Sequence, residues 1–222
     1  MKIWIIWSHN SDTYIKKCID TTMYSVEEYI DARFGSWENL SVEDIIWRCQ
    51  HMLDSLCDLD YIILPPICEV LYCEWKLHSD YKIIPLFSEY CKYVLHNSVV
   101  WKIACCTTSS SYEILKPFRK KCVGEYQISS KQQWNKYFQS HFPLYPVDTQ
   151  FWPACFDIKR TWFVNKLIKT QCKQLKDYAI DSIIITSRWY AYFSAILNKS
   201  CGSRVKSISN TILKQLLTML LS

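Results

Sequence analysis

Short apolar runs alternate along this chain with stretches of helical period. Ile3 to Trp7 is unbroken and predicts a first strand, with a helix following from about Asp12. Glu28 to Asp31 predicts a short second strand. Ser41-Val42-Glu43-Asp44 then supplies a capping residue and an acidic first turn. Ile45, Ile46, Cys49, Met52, Leu53 and Leu56 continue at helical spacing. Tyr61 to Leu64 is the next strand, followed by a helix through Tyr72. Ile83 to Leu86 is a strand ahead of a helix from about Ser88.

The second half restarts the pattern. Val99 to Cys106 predicts a strand, Ser110 to Lys116 a helix and Glu125 to Ser129 a strand. His141 to Trp152 is rich in Pro and aromatic residues and predicts a loop. Asp157 to Leu175 is helical, with Trp162, Phe163, Leu167 and Ile168 on its apolar face. Ile183 to Thr186 predicts a strand and Tyr190 begins a helix. Ser203 to Ser207 is a last strand, and Ile212 to Leu221 a final amphipathic helix. This alternation favours an α/β chain of two similar doubly wound domains, with mainly parallel sheets and an interdomain cleft. The halves divide near His96 and the chain crosses back near Ser203. One domain is therefore expected over residues 1–95 plus 204–222 and the other over 96–203.

Two segments share one design. Asp60-Tyr61-Ile62-Ile63-Leu64-Pro65-Pro66 and Asp181-Ser182-Ile183-Ile184-Ile185-Thr186-Ser187 are both apolar runs that stop at turn-prone or small residues and pass into a helix. Open α/β sheets place ligands at such carboxyl strand ends.

Composition narrows the chemistry. The chain has 222 residues, half of them hydrophobic, enough for a substantial core. A net charge of +5 is too mild to require nucleic acid. The densest basic cluster, Lys116, Arg119, Lys120 and Lys121, is interrupted by Pro117 and fits a solvated helix end better than an anion site. The twelve cysteines include no Cys-x-x-Cys, and the five histidines show no ligand spacing, so no metal is expected. Most cysteines lie in apolar runs, which predicts reduced thiols and a cytoplasmic protein. No apolar run is long enough to span a membrane. Only three glycines are present, where about 7% is usual, and no Walker or dinucleotide fingerprint occurs.

The order of the motifs resembles that of glutamate racemases, within the aspartate/glutamate racemase superfamily. Tyr29-Ile30-Asp31 through Ser41-Val42-Glu43-Asp44-Ile45 resembles the family's Y-x-D … S-x-E-E-I block. Tyr61 to Leu64 falls where the family's strand ends in A-C-N-T-A. Ile83-Ile84-Pro85-Leu86 is similar to I-P-V-I-G, and Ile103 to Ser111 to I-G-V-L-A-T-x-G-T. Ile183 to Tyr190 lies where the family has V-L-G-C-T-H-Y, and Val205-Lys206-Ser207 resembles V-D-S before the closing helix.

The resemblance implies two α/β domains and a cofactor-independent interconversion of L- and D-glutamate, which serves peptidoglycan synthesis. One cysteine thiolate removes the α-proton and a second thiol protonates the opposite face. This chain departs at both positions: Pro66 aligns with the first cysteine and Ser187 with the second. A proline has no titratable group, and a hydroxyl is a weak base unless activated. The departures predict that racemisation is impaired or lost.

Other residues of the inherited cleft follow from the same alignment. Ser8, Asn10, Ser36, Thr108 and Ser111 are polar groups that could bind an anion. Arg188 either grips a carboxylate or lies at the surface. Trp7, Trp37 and Trp189 either fill the space of a small dicarboxylate or pack in a core. Cys68, two residues beyond Pro66, is the one thiol near the old first position. It is either a lone base with its pKa lowered by a helix N-terminus, or an inert half-buried cysteine. The expected ligand is a small acidic amino acid, and a homodimer is compatible with the reading. Three functions remain: a divergent racemase, a non-catalytic pseudoenzyme binding an acidic ligand or a protein partner, or a decaying copy.

Overall fold

The computed structural model describes residues 1–7, 13–31, 37, 40–98, 103–107, 114–115, 144–148, 162, 166, 169–170, 180, 182–185, 199 and 210–222. Four parallel strands build a first sheet: β1 (Lys2–Trp7), β2 (Ser25–Ile30), β3 (Tyr61–Ile63) and β4 (Lys82–Ile83), in the order β2-β1-β3-β4. A second sheet holds β5 (Ile103–Thr107), β6 (Leu144–Asp148) and β7 (Ser182–Ile185), also parallel, in the order β6-β5-β7.

The two orders are one pattern repeated. In each sheet the earliest strand lies between the next two, so the chain winds first to one side and then to the other. That reversal makes a crevice at the carboxyl ends of the strands. β1 is buried on both faces, with Ile3, Ile5 and Ile6 fully enclosed, as a central parallel strand requires. Each such side chain contributes about 1.5–3 kcal/mol by leaving water.

Helices α1 (Thr13–Cys18), α2 (Val42–Ser55), α3 (Pro66–Cys73), α4 (Leu86–Asn97) and α5 (Asn210–Leu221) cover the first sheet's connections. Ser41 caps α2 by accepting the Asp44 N–H at 3.1 Å, and its hydroxyl donates to the Asp44 carboxylate at 2.8 Å. Ile45, Cys49, Met52 and Leu53 are its buried stripe, at the predicted spacing. α5 packs against α4 and α1, so the last helix returns to elements of the first half. α4 also touches β7, where the Tyr90 hydroxyl donates to the Ile183 carbonyl at 2.9 Å.

Several boundaries differ from expectation for local reasons. The predicted loop His141 to Trp152 contains β6. Its Pro146 is accommodated because β6 is an outer strand of the described sheet, where a missing N–H breaks no inner ladder. β2 begins at Ser25 rather than Glu28. As an outer strand of the described sheet it tolerates Glu27 and Glu28, which pair with Lys2 at 3.0 Å and Lys16 at 3.7 Å. The predicted strand Ile83 to Leu86 shrinks to β4 because Pro85 lacks a ladder donor and precedes α4 directly, so α4 starts at Leu86, before Ser88. β5 is described from Ile103 to Thr107. The predicted helices at Ser110 to Lys116 and Asp157 to Leu175 are described only at helical residues 114–115 and 162, 166 and 169–170. The predicted strands Glu125 to Ser129 and Ser203 to Ser207, and the helix start at Tyr190, lie outside the described residues.

Candidate functional site

The candidate site is the carboxyl edge of the two sheets. In the first sheet, Ile5 is level with Ile63, the last residue of β3, and β1 runs two residues further, to Trp7. β3 passes through Leu64 and Pro65 into α3, whose first residue is Pro66. In the second sheet, Cys106 is level with Ile185, the last residue of β7 and two residues before Ser187 in sequence, and β5 runs one residue further, to Thr107. Pro66 and Ser187 thus follow equivalent strands of the repeat.

Pro66 is buried and suits the first helical position, where its missing N–H leaves no bond unmade. Cys68 lies in the same first turn, which alone would lower its pKa. Burial decides otherwise. The side chain is fully enclosed and hydrogen-bonded to Cys49 of α2, and desolvation, followed by that bond, pushes the thiol well above its ordinary range. Cys68 therefore faces the α2–α3 packing and is a poor base at neutral pH.

Trp37 is also buried, within the hydrophobic core. Its indole N–H donates to the Asp31 carboxylate at 3.2 Å. Asp31 follows the end of β2, one residue beyond the Trp7–Ile30 pair, and is itself enclosed. The Arg48 guanidinium of α2 stands 3.9 Å from the same carboxylate oxygen, an ion pair longer than a hydrogen bond. Asp31 thereby ties the stretch after β2 to α2 and the core. Trp7 closes β1. Ser8, Asn10, Ser36, Thr108, Ser111, Ser187, Arg188 and Trp189 lie outside the described residues.

A second buried carboxylate at this edge was not singled out from the sequence. Glu69 of α3 is fully enclosed. It accepts the Phe87 N–H at 2.7 Å, the Ser88 N–H at 2.8 Å and the Ser88 hydroxyl at 2.6 Å. These amides are in the first turn of α4, whose own cap, Pro85, has no side-chain bond to give. Glu69 caps α4 from a neighbouring helix. Burial pushes its pKa up to about 7, against the Ser88 hydroxyl and the two amides, which pull it down; Glu89 adds slightly to the rise. One acidic residue inside the apolar run Ile67 to Leu71 was the available signal.

Among the described residues, no group of three or more His, Cys, Asp or Glu could hold a metal ion. No described helix is long and apolar enough to cross a membrane.

Neither a protein-family model nor a curated protein sequence matches the chain. Solved structures do. Glutamate racemase isoform RacE1 from Bacillus anthracis superposes with a TM-score of 0.78 at 15% identity, covering 99% of this chain and 81% of that one. Glutamate racemase from Campylobacter jejuni subsp. jejuni superposes with a TM-score of 0.73 at 14% identity, covering 100% and 86%. Identity this low speaks for backbone architecture, and over essentially its whole length this chain has the fold of the glutamate racemases.

Proposed function

We propose that this chain is a glutamate-racemase-like protein in which two-base racemisation is impaired or lost. The structural neighbours are glutamate racemases by name, and the motif order points the same way. The observation that carries the reading is the first strand end. Pro66 stands there without a proton to give or take, and the nearest thiol, Cys68, is sealed against Cys49. Ser187 at the second strand end offers a hydroxyl in place of a thiol. The two lobes are residues 1–95 plus 204–222 and residues 96–203; the packing of α5 on α4 and α1 supports that division.

Incubation with L-glutamate or L-aspartate in heavy water tests this directly. Neither α-deuterium nor D-isomer is expected at high enzyme concentration. Either one, at a rate that depends on the protein, refutes the reading.

A pseudoenzyme is favoured over a decaying copy by the two buried carboxylates beside the edge. Asp31 and Glu69 are both enclosed and both engaged, and a buried carboxylate without partners is strongly destabilising. A saturable thermal shift with L- or D-glutamate or aspartate is expected; a flat response across all four removes the acidic-ligand assignment.

A further inference from the structure

A cavity of about 460 Å³ opens at the opposite, amino-terminal edge of the first sheet. Its walls are the segment from α1 into β2 and one face of α5. That segment lies at the amino edge because Ser25 opens β2 beside Lys2, and its N–H donates to the Met1 carbonyl at 2.9 Å. The cavity is therefore separate from the carboxyl edge where the inherited site lies. Its size is within the range of small-molecule pockets.

The lining sorts into an apolar floor and a rim of both charges. Tyr24, Leu217 and Leu221 are buried and form the floor, and the Tyr24 hydroxyl donates to the Leu221 carbonyl at 2.7 Å, holding the two walls together. Asp20 is on the rim. Its Oδ1 accepts the Thr22 N–H at 2.9 Å and the Thr22 hydroxyl at 2.7 Å, which hold its pKa below the usual value, so it is ionised at neutral pH. Its Oδ2 accepts no hydrogen bond among the described residues. Lys17 on one wall and Lys214 on the other complete the rim, and neither has a carboxylate within 4 Å among the described residues. The Lys214 charge is felt at Asp20 from a greater distance.

We propose that this cavity binds a free amino acid with an apolar side chain. Such a ligand carries one group for each part of the lining. Its ammonium meets the open Asp20 oxygen, its carboxylate meets Lys214 and Lys17, and its side chain covers the floor. A simple carboxylate would leave Asp20 facing an anion, and a simple amine would crowd the lysines.

L-Leucine, 4-methylpentanoate and leucine amide separate these cases by calorimetric titration of the full chain. Leucine is expected to bind saturably at millimolar concentration, with both analogues at least several-fold weaker. Asp20→Asn retains the acceptor for Thr22 while removing the charge; it should weaken leucine but not 4-methylpentanoate. Thr218→Trp, at an exposed position on the cavity wall, should abolish binding while leaving the thermal melt unchanged. Equal affinity for leucine and 4-methylpentanoate overturns the assignment. So does undiminished binding by a folded Thr218→Trp, or no saturation by leucine.

Discussion

Replacing Glu69 by Gln should flatten the pH dependence of stability around neutrality. The side chain is fully buried, and its carboxyl shifts from an ordinary 4.5 to about 7. An acid whose folded pKa is raised binds more protons folded than unfolded across that interval. The stability it confers is fully present below about 4.5 and is lost as pH rises through about 7. At about 1.4 kcal/mol for each pKa unit, the whole swing is about 3 kcal/mol, most of it between about pH 5 and pH 8. A glutamine has no proton to lose. Its carbonyl still accepts an amide N–H of the α4 first turn, and its NH2 can donate to the Ser88 hydroxyl, leaving one α4 amide without its acceptor. The variant should start about 1–2 kcal/mol less stable at about pH 5 and lose less as pH rises. Urea unfolding of both proteins at the two pH values reads this directly, because every other titrating group is common to both. Parallel pH slopes would refute the claim that burial dominates over the three hydrogen bonds at Glu69.

Trp75 lies just past α3 at φ 60°, in the left-handed region, and is 80% exposed; its N–H bonds to the Tyr72 carbonyl and the next N–H to Leu71. Glycine is the usual occupant of that position, so Trp75→Gly should raise stability by about 0.5–1 kcal/mol, seen as a higher urea midpoint with unchanged slope. Asp31→Ala should cost about 3 kcal/mol by urea unfolding, because it leaves Arg48 and the Trp37 indole without their shared carboxylate. With a thiol reagent at neutral pH, exposed Cys57 should react before Cys49 and Cys68, as mass spectrometry of digested protein would show; equal rates would contradict the burial of that pair.

Much of the fold was legible because its signals are local. Ile3 to Trp7, Tyr61 to Leu64 and Ile183 to Thr186 are short, largely apolar runs of the kind that buried strands use, and Ser41 with Glu43 and Asp44 marks a helix start without tertiary help. β6 was missed because Pro146 and its aromatic neighbours carry loop signals. What makes it a strand is a place at the outside of a sheet, which depends on β5 rather than on its own residues. The carboxylate partners were illegible for the same reason. Glu69 is 18 residues from Phe87, and nothing in either segment announces the other. Cys68 shows the limit most clearly: its helix-start position argues for a lowered pKa, and only the packing of α3 on α2 shows burial to be the larger effect.

That outcome separates the two functions a strand end can have. The carboxyl edge of the first sheet is still built around charged groups, but those charges face inward. Asp31 is turned to Trp37 and Arg48, and Glu69 to the first turn of α4. An acid–base site needs the reverse, a titratable group held at the crevice with its partner across the substrate. Glu69 is the described carboxyl with a pKa near neutrality at this edge, and three donors on α4 already occupy it. It cannot act as a base at the crevice without giving up the cap of α4. The same helix carries the Tyr90 bond to β7, so exposing Glu69 would disturb the link to the second sheet. Among the described residues, the first strand end therefore holds its two buried carboxylates in structural bonds rather than presenting them to the crevice.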